Sequence, residues 1–357
     1  MKLEGDYTMR TTLKSLIALV AVLSLTGVTA FAGGGDRVGT AGGDQLLIPV
    51  GARGIALGSA YTAGISGLNA IYYNPAGFSA STQRAEAMFS HMNAIGDLGV
   101  DYFAVGSQFG GFGHLALSIK SLSFGDIKVT DERNPDGTGA TYAPTFVTVG
   151  LTYSRALTDR IRAGFTAYLV SESIDRVSAS GTAFDIGIQY SGLAGYRGLQ
   201  LGVTLRHLGP NMKYDGPGLY RSADETASKR DAQLLKIEAA GFNMPTSLEI
   251  GLAYTAALAD IHSVTVSGAF ENNNFLQDQY RLGAEYSYRD FFFLRGSYNI
   301  AGNELNDAMG ETAYLYGPAF GAGVKYGAGD LALGLDYAYR VTDVFEASHV
   351  LTLNIGF

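Results

Sequence analysis

The side chains of this chain that could do binding chemistry are charged residues scattered over its second half. They carry both signs: Asp185, Arg206, Glu249, Arg281, Glu285, Arg295, Lys325 and Asp336. Placed in an interior, such groups could hold the carboxylate of a ligand. We expect them instead to pair with one another and with the N-terminal part of the chain, because desolvated charges need partners. We predict polar contacts of the interior at Arg206, Arg281, Glu285 and Arg295.

Catalytic and metal-binding motifs are missing from the sequence. The five histidines (His91, His114, His207, His262 and His349) have no metal-ligand spacing, and there is no cysteine. Neither a Gly-x-Ser-x-Gly elbow with partners nor a phosphate loop is present. The net charge of −8 argues against a nucleic-acid partner. We therefore predict no enzyme, no cofactor and no metal site.

The elements that position these charges are runs of alternating apolar and polar residues bounded by turn residues, the pattern of half-buried strands. Fourteen such runs can be read, and most have the length of about ten residues that a tilted transmembrane strand needs. They cover residues 84–92, 99–109, 112–124, 144–155, 161–174, 178–192, 199–207, 246–257, 261–272, 277–289, 291–300, 317–327, 329–340 and 348–357.

The last of these strands ends in an aromatic residue. Leu351, Leu353, Ile355 and Phe357 fall on one face of it, as expected for the C-terminal strand that guides assembly of an outer-membrane barrel. In the run that begins at residue 277, Leu282 and the residues at every second position from it would face lipid, and the residues between them would face the lumen. The absence of Trp leaves the 22 tyrosines and 19 phenylalanines to supply an interfacial girdle.

The connections between the runs alternate in length. Residues 125–143, 208–245 and 301–316 are long, whereas 156–160, 258–260, 289–290 and 327–329 are short. An even-stranded barrel with both termini in the periplasm has short periplasmic turns and long external loops in this order. The sequence thus predicts an all-β fold, a 14-stranded antiparallel transmembrane β-barrel over residues 84–357.

Two segments precede the barrel. Residues 1–32 read as a secretory signal peptide, with Arg10 and Lys14, an apolar run and a small-residue cleavage site after Ala32. Residues 33–83 are apolar and rich in small residues, and the turn motif Asn74, Pro75, Ala76 and Gly77 lies within them. We predict a luminal hatch (plug), with Asn74 either contacting the wall or capping a turn. The alternative is a periplasmic linker, which should be more polar.

The connection 208–245 is richer in apolar residues than a solvated loop. We predict that it docks a partner or covers the mouth of the barrel, with a short amphipathic helix within 222–240 that carries Leu234, Leu235 and Ile237. A self-packed loop without a partner is the alternative.

Five segments of the mature chain resemble the PorV/PorQ family, relatives of the FadL-type outer-membrane transporters. They are Gly51-Ala-Arg-Gly-Ile-Ala-Leu-Gly-Ser-Ala-Tyr61, Asn74-Pro-Ala-Gly77, Ala183-Phe-Asp-Ile-Gly-Ile-Gln-Tyr190, Gly202-Val-Thr-Leu-Arg-His-Leu-Gly-Pro210 and Pro245-Thr-Ser-Leu-Glu-Ile-Gly-Leu-Ala-Tyr254. The resemblance implies a FadL-like barrel of fourteen strands with an N-terminal hatch.

The resemblance also implies two alternative functions. PorV-like members assist the type IX secretion system and would meet secretion translocon components and exported proteins with C-terminal signal domains. FadL-type relatives instead pass fatty acids or other hydrophobic compounds. We predict the secretion role, with the transporter as the alternative. Either role places the chain in the bacterial cell outer membrane, in contact with its lipid and with both termini periplasmic.

Overall fold

The computed structural model describes residues 40–223, 233–301, 315–343 and 345–357, which form a closed antiparallel barrel of fourteen strands. In chain order the strands are β1 Ala85–Asn93, β2 Gly99–Gln108, β3 His114–Ser123, β4 Thr145–Ala156, β5 Ile161–Ile174, β6 Val177–Ser191, β7 Leu199–Leu208, β8 Ser247–Ala259, β9 His262–Asn273, β10 Gln279–Tyr288, β11 Phe292–Ala301, β12 Tyr316–Ala328, β13 Leu331–Thr342 and β14 Ser348–Gly356. The predicted fold class is confirmed. The signal peptide predicted for residues 1–32 lies outside the described residues.

The barrel closes between its first and last strands. Strand β14 pairs with β1 from Glu86↔Gly356 to Asn93↔His349. The terminal residue takes part, because the Phe357 N–H donates to the Ala85 carbonyl over 2.8 Å and the Arg84 N–H donates to the Phe357 carbonyl over 2.7 Å. Closure leaves no strand edge unpaired, which a lipid environment requires.

Side chains alternate along the strands as predicted. On β10, Arg281 and Glu285 are buried towards the lumen, whereas Leu282 is 43 % exposed on the outer face. On β14, Leu351, Leu353 and Phe357 lie exposed on the outer face and Ile355 is half-buried. Tyrosines occupy outward positions in the second halves of five strands, and the girdle stays a prediction: Tyr153, Tyr190, Tyr254, Tyr286 and Tyr326.

The two ends of the barrel differ. At one end, here called the long-loop end, lie connections 124–144 and 209–246, although β5 and β6 are joined there by the tight turn 175–176. At the other, the short-turn end, β8 and β9 are joined by residues 260–261 and β12 and β13 by 329–330. Phe357 lies at the short-turn end, next to Ala85.

The N-terminal segment, residues 40–83, packs against the inner wall. It contains two short helices, α1 (Ala52–Ala56) and α2 (Ala70–Tyr73), and 3₁₀ turns at Asp44–Leu46, Gly67–Asn69 and Pro75–Ala80. Helix α1 contacts β11 to β14, and the turn Pro75–Ala80 contacts β4 to β6. The segment therefore touches opposite sides of the lumen.

This segment begins at the long-loop end and finishes at the short-turn end. Ala41 bridges to Asn243 of the long β7–β8 connection, and the Gly42 N–H donates to the Asn243 carbonyl over 3.1 Å. Residue 84 then enters β1 at the opposite end. The predicted periplasmic position of the mature N-terminus falls on residues 33–39, outside the described residues, and stays a prediction.

Glycines of the wall give the segment room. A Cβ on Gly202 would lie 2.3 Å from the Thr62 carbonyl oxygen, and one on Gly283 would lie 2.8 Å from the Leu57 carbonyl oxygen. Two other inward-facing glycines of the wall do not contact the segment. Gly323 instead leaves room for Asp336, whose Oδ1 would lie 2.1 Å from an added Cβ, and a Cβ on Gly334 would first meet Asn354 at 3.4 Å.

The β7–β8 connection covers part of the long-loop end. Its strand Met212–Lys213 pairs with Gly241–Phe242, and Met212 and Met244 are buried beside Leu46 of the N-terminal segment. The outer part is a hairpin in which Tyr220–Ala223 pairs with Gln233–Lys236. The helix predicted within 222–240 is therefore wrong at these described residues, because pairing with Tyr220–Ala223 gives this stretch main-chain partners.

Candidate functional site

The turn motif anchors the N-terminal segment to strands β5 and β6. Asn74 is fully buried, and its side chain makes hydrogen bonds both within the turn and to the wall. Its Oδ1 accepts from the Ala76 N–H over 3.1 Å, which caps the turn, and its Nδ2 donates to the Ile188 carbonyl of β6 over 3.1 Å. The facing pair Gly164 and Gly187 forms a niche for it, since a Cβ on Gly187 would lie 2.1 Å from Asn74 Oδ1.

Helix α1 is held to the opposite wall by ion pairs. Arg53 binds Glu285 of β10 through two hydrogen bonds of 2.9 and 2.7 Å. Arg295 of β11 bridges the same carboxylate at 2.6 Å to Asp336 of β13, also at 2.6 Å. Bidentate, charge-assisted bonds of this kind are among the strongest polar contacts. The N-terminal segment and three wall strands therefore share one ionic network.

A second network lies nearer the long-loop end. Arg281 pairs with Glu249 at 3.3 Å and with Glu271, and Arg206 lies 3.8 Å from Glu249. The Thr62 hydroxyl of the N-terminal segment donates to Glu249. Of the predicted luminal residues, Arg206, Arg281 and Arg295 therefore lie against carboxylates, and Glu285 lies between Arg53 and Arg295.

The remaining predicted charges have varied surroundings. Asp185 is fully buried and accepts from the His207 N–H over 2.6 Å and from the Tyr168 hydroxyl over 3.1 Å. Lys325 is exposed at the short-turn end.

Among the described residues no group of three or more His, Cys, Asp or Glu residues could hold a metal ion. In the described part of the chain, no helix is long and apolar enough to cross a membrane.

Two recesses open into the lumen from its two ends. The long-loop recess has a volume of about 250 Å³, near the lower end of the range for small-molecule sites. Its apolar lining is Leu47, Ile48, Pro49, Tyr72, Leu276 and Tyr316. The short-turn recess has a volume of about 360 Å³, and its lining includes the polar side chains of Arg53, Asn69, Glu86, Asp290 and Asn354.

Three arginines line the long-loop recess: Arg206, Arg281 and Arg340. Arg206 and Arg281 lie within ion-pair distance of Glu249, whereas Arg340 has no carboxylate within that distance among the described residues. Its guanidinium carbon stacks 3.8 Å from the centre of the Tyr316 ring, and the side chain is 7 % exposed. Its buried Nε has no hydrogen-bond partner there. Arg340 can therefore accept an anionic group from a ligand without first breaking an ion pair.

The stretch from Arg53 to Ser59 separates the two recesses. Arg53 lines the short-turn recess and Ser59 the long-loop recess. Between them, Ala56 and Leu57 pack directly on wall glycines, since a Cβ on Gly321 would lie 2.5 Å from Ala56 Cβ. A passage along this wall would require α1 to move.

Sequence reasoning missed three residues of this site. Arg53 lies within the segment that runs from Gly51 to Tyr61, but no carboxylate of the wall was predicted as its partner. Arg340 is the last residue of the predicted strand 329–340 and falls on its luminal face by alternation, but no ligand role was predicted for it. Tyr72 carried no signal beyond its place in an apolar stretch.

Comparisons with known proteins place the chain by fold. No protein-family model matches the sequence, and no curated protein matches it. Among solved structures, the CymD monoaromatic hydrocarbon channel has a TM-score of 0.54 and 13 % identity, covering 87 % of this chain and 98 % of CymD. The toluene transporter TbuX of Ralstonia pickettii has a TM-score of 0.54 and 13 % identity, covering 86 % and 98 %.

A third similar structure is a Pseudomonas aeruginosa FadL homologue, with a TM-score of 0.50, 12 % identity and coverage of 87 % of this chain and 98 % of the homologue. At these identities the similarity establishes the fold. The chain has the fourteen-stranded barrel fold of FadL-type outer-membrane proteins.

Proposed function

We propose that this protein is an outer-membrane transporter for small hydrophobic compounds that carry an acidic group, and that its N-terminal segment acts as the hatch. The supporting observation is the pair of recesses on either side of α1 inside a closed barrel. The similar structures include a hydrocarbon channel and a toluene transporter, which is consistent with this class of cargo.

The lining of the long-loop recess supports the ligand class. Leu47, Ile48 and Leu276 offer apolar surface, and burial of a hydrocarbon body against them is favourable by about 25 cal/mol per Å². Arg340 offers a guanidinium for a carboxylate. An aliphatic acid such as octanoate meets both requirements.

The ionic network around Arg53 supports a gating role for α1. A carboxylate ligand that reaches Arg53 would compete with Glu285 for the same guanidinium, which would weaken the attachment of α1 to β10. The turn at Asn74 has no such charged attachment and is held by a glycine niche instead. We infer that α1 moves during passage while the turn stays fixed.

The outer surface supports an outer-membrane location. Large apolar side chains cover the outward face of the strands, among them Leu117, Leu151, Leu169, Ile188, Leu294 and Phe320. In this proposal the long-loop end is external and the short-turn end periplasmic, as in other barrels of this type. The signal peptide over residues 1–32 and the hatch boundary at residue 83 belong to the same proposal.

The test is binding of octanoate to the full barrel in lipid nanodiscs by isothermal titration calorimetry. Arg340→Gln should weaken binding about tenfold or more, the value of a lost charge-assisted hydrogen bond. Arg155→Gln makes the same change at an exposed position on the end of β4 and should bind like the wild type. Absence of saturable binding to the wild type, or equal affinities of both variants, would overturn the proposal.

Accessory function in type IX secretion is the second candidate, and one observation favours it. In the outer hairpin of the β7–β8 connection, Leu234, Leu235 and Ile237 are 74, 55 and 51 % exposed. Exposed apolar groups of this kind are typical of a protein-binding surface. The PorV/PorQ assignment itself stays a prediction.

A pull-down of the tagged barrel from its native outer membrane separates the two candidates. Mass spectrometry would be applied to both co-purified proteins and extracted lipids. Translocon components together with exported proteins that share a C-terminal domain would support secretion. The barrel alone with aliphatic acids enriched would support transport.

A further inference from the structure

A small enclosed cavity lies behind the long-loop recess. Its volume is about 10 Å³, close to the space that a single water occupies. Its lining includes Tyr102, Lys120, Thr148, Tyr168 and His207. Tyr72 lines both this cavity and the long-loop recess, so its side chain stands between the two spaces.

The cavity lining has unused capacity for an anion. Thr148 Oγ1 and His207 Nδ1 have no hydrogen-bond partner among the described residues, although the two residues are only 3 and 1 % exposed. Lys120 is 4 % exposed, and its Nζ donates to the Ile48 carbonyl over 3.0 Å without a carboxylate in ion-pair range among the described residues. Buried groups of this kind are stabilised by a polar partner.

The Tyr72 ring is flanked by two cations. The Arg206 guanidinium carbon lies 4.5 Å from the ring centre and the Lys120 Nζ 4.7 Å from it. Arg206 lines the long-loop recess, and Lys120 lines the cavity. The ring is fixed by its hydroxyl, which donates to the Leu46 carbonyl over 2.9 Å. A carboxylate that moved past the ring would therefore pass from one cation to the next.

We propose that Tyr72 separates the long-loop recess from an inner carboxylate-binding compartment built around Lys120, and so limits how deeply an acidic ligand enters. This inference rests on the proposed function, because it concerns the same ligand class. With the ring in place, the carboxylate stops at Arg340. With the ring removed, the carboxylate reaches Lys120 and Thr148, and the recess accommodates a longer chain.

The experiment compares octanoate and dodecanoate binding to full-length variants in nanodiscs by calorimetry. Tyr72→Ala should bind dodecanoate about tenfold tighter than the wild type, because the carboxylate exchanges Arg340 for Lys120 and gains one further charge-assisted hydrogen bond, from Thr148. Tyr72→Phe keeps the ring and should not show this gain for dodecanoate. Tyr102→Ala enlarges the enclosed cavity without connecting it to the recess, and should also leave both affinities unchanged.

A second pair of variants locates the carboxylate. Lys120→Met should leave octanoate binding to the wild type unchanged but abolish the tenfold gain in the Tyr72→Ala background. Arg340→Gln should weaken octanoate binding in the wild-type background but leave the tenfold gain of Tyr72→Ala for dodecanoate in place. If Tyr72→Ala does not assemble, Tyr72→Leu replaces it, with folding checked by the heat-modifiable migration of the barrel.

The outcomes distinguish two failures. If the wild type binds neither acid, the proposed function fails. If the wild type binds octanoate but Tyr72→Ala shows no gain in affinity for dodecanoate, as expected for Tyr102→Ala, the inner compartment is refuted. It is also refuted if dodecanoate binding to Tyr72→Ala still depends on Arg340. In both cases the transport proposal stands.

Discussion

A single methyl group at Gly187 tests whether the turn at Asn74 is held by the wall niche. In Gly187→Ala the new Cβ would lie 2.1 Å from Asn74 Oδ1 and 2.9 Å from Pro75 Cδ. Overpacking of this kind costs about 1–3 kcal/mol. Withdrawal of Asn74 would also break its bond to the Ile188 carbonyl, which costs a further ~1–3 kcal/mol for a buried group. The attachment of the turn should weaken by about 2–6 kcal/mol.

Hydrogen–deuterium exchange in nanodiscs measures this attachment directly. A loss of 2 kcal/mol corresponds to about thirtyfold faster exchange of the amides in the turn Pro75–Ala80, provided that the turn opens as a unit. Gly334→Ala is the matched control, since its Cβ also points inward but has no neighbour closer than Asn354 Cβ, at 3.4 Å. The control should exchange like the wild type.

Two results would refute this reasoning. Equal exchange of the turn in Gly187→Ala and the wild type would show that the niche does not hold it. Faster exchange throughout β5 and β6 as well would show that Gly187 serves the strand pairing of the wall and not the docking of the turn.

Four further predictions concern the membrane, assembly, gating and the loop. Leu282→Arg should destabilise the barrel by about 2–4 kcal/mol in bilayers, and an unchanged urea midpoint would show that this side chain does not face lipid. Deletion of Phe357 should lower the amount of assembled barrel, because Phe357 pairs with strand β1, and normal surface levels would contradict this. Arg53→Met should raise the ionic conductance of the barrel in planar bilayers, because α1 loses its ion pair while Glu285 keeps Arg295; conductance equal to the wild type would exclude this gate. The hydrogen bond from Lys236 lowers the pKa of Asp215 below its usual 3.8, so this contact is complete at neutral pH and is lost as the pH falls through that lowered value. Protection factors of the loop amides, which correct for the intrinsic pH dependence of exchange, should fall as the pH is lowered to about 2, and constant protection from pH 6 to about 2 would argue against the contact.

The strands could be predicted from sequence because one physical rule governs every one of them. A membrane-spanning strand has lipid on one side and a packed lumen on the other, so apolar and polar residues alternate without interruption. Each predicted strand matches an observed one, and the ends differ by at most two residues. The strand around Leu282 shows the rule most clearly, since Arg281 and Gly283 on either side are buried.

The long β7–β8 connection could not be predicted in the same way. Leu234, Leu235 and Ile237 suit one face of a helix, but three residues also suit a hairpin, and no alternation decides between the two. The outcome depended on Tyr220–Ala223, a partner strand ten residues upstream that no local pattern identifies. Similarly, nothing in the sequence indicates that Met212 would be buried against the N-terminal segment.

The candidate site combines what a sequence can reveal with what only packing decides. Alternation placed Arg281, Glu285 and Arg340 in the lumen, but it could not tell which of them would be paired. The pairing depends on the path of the N-terminal segment, which brings Arg53 to Glu285 and leaves Arg340 on Tyr316. A charge that has no ion-pair partner among the described residues, in a recess with partly apolar walls, is what a ligand with an acidic group would use. In the proposed function the segment inside the barrel therefore selects the ligand, and variants of Arg53, Tyr72 and Arg340 test this.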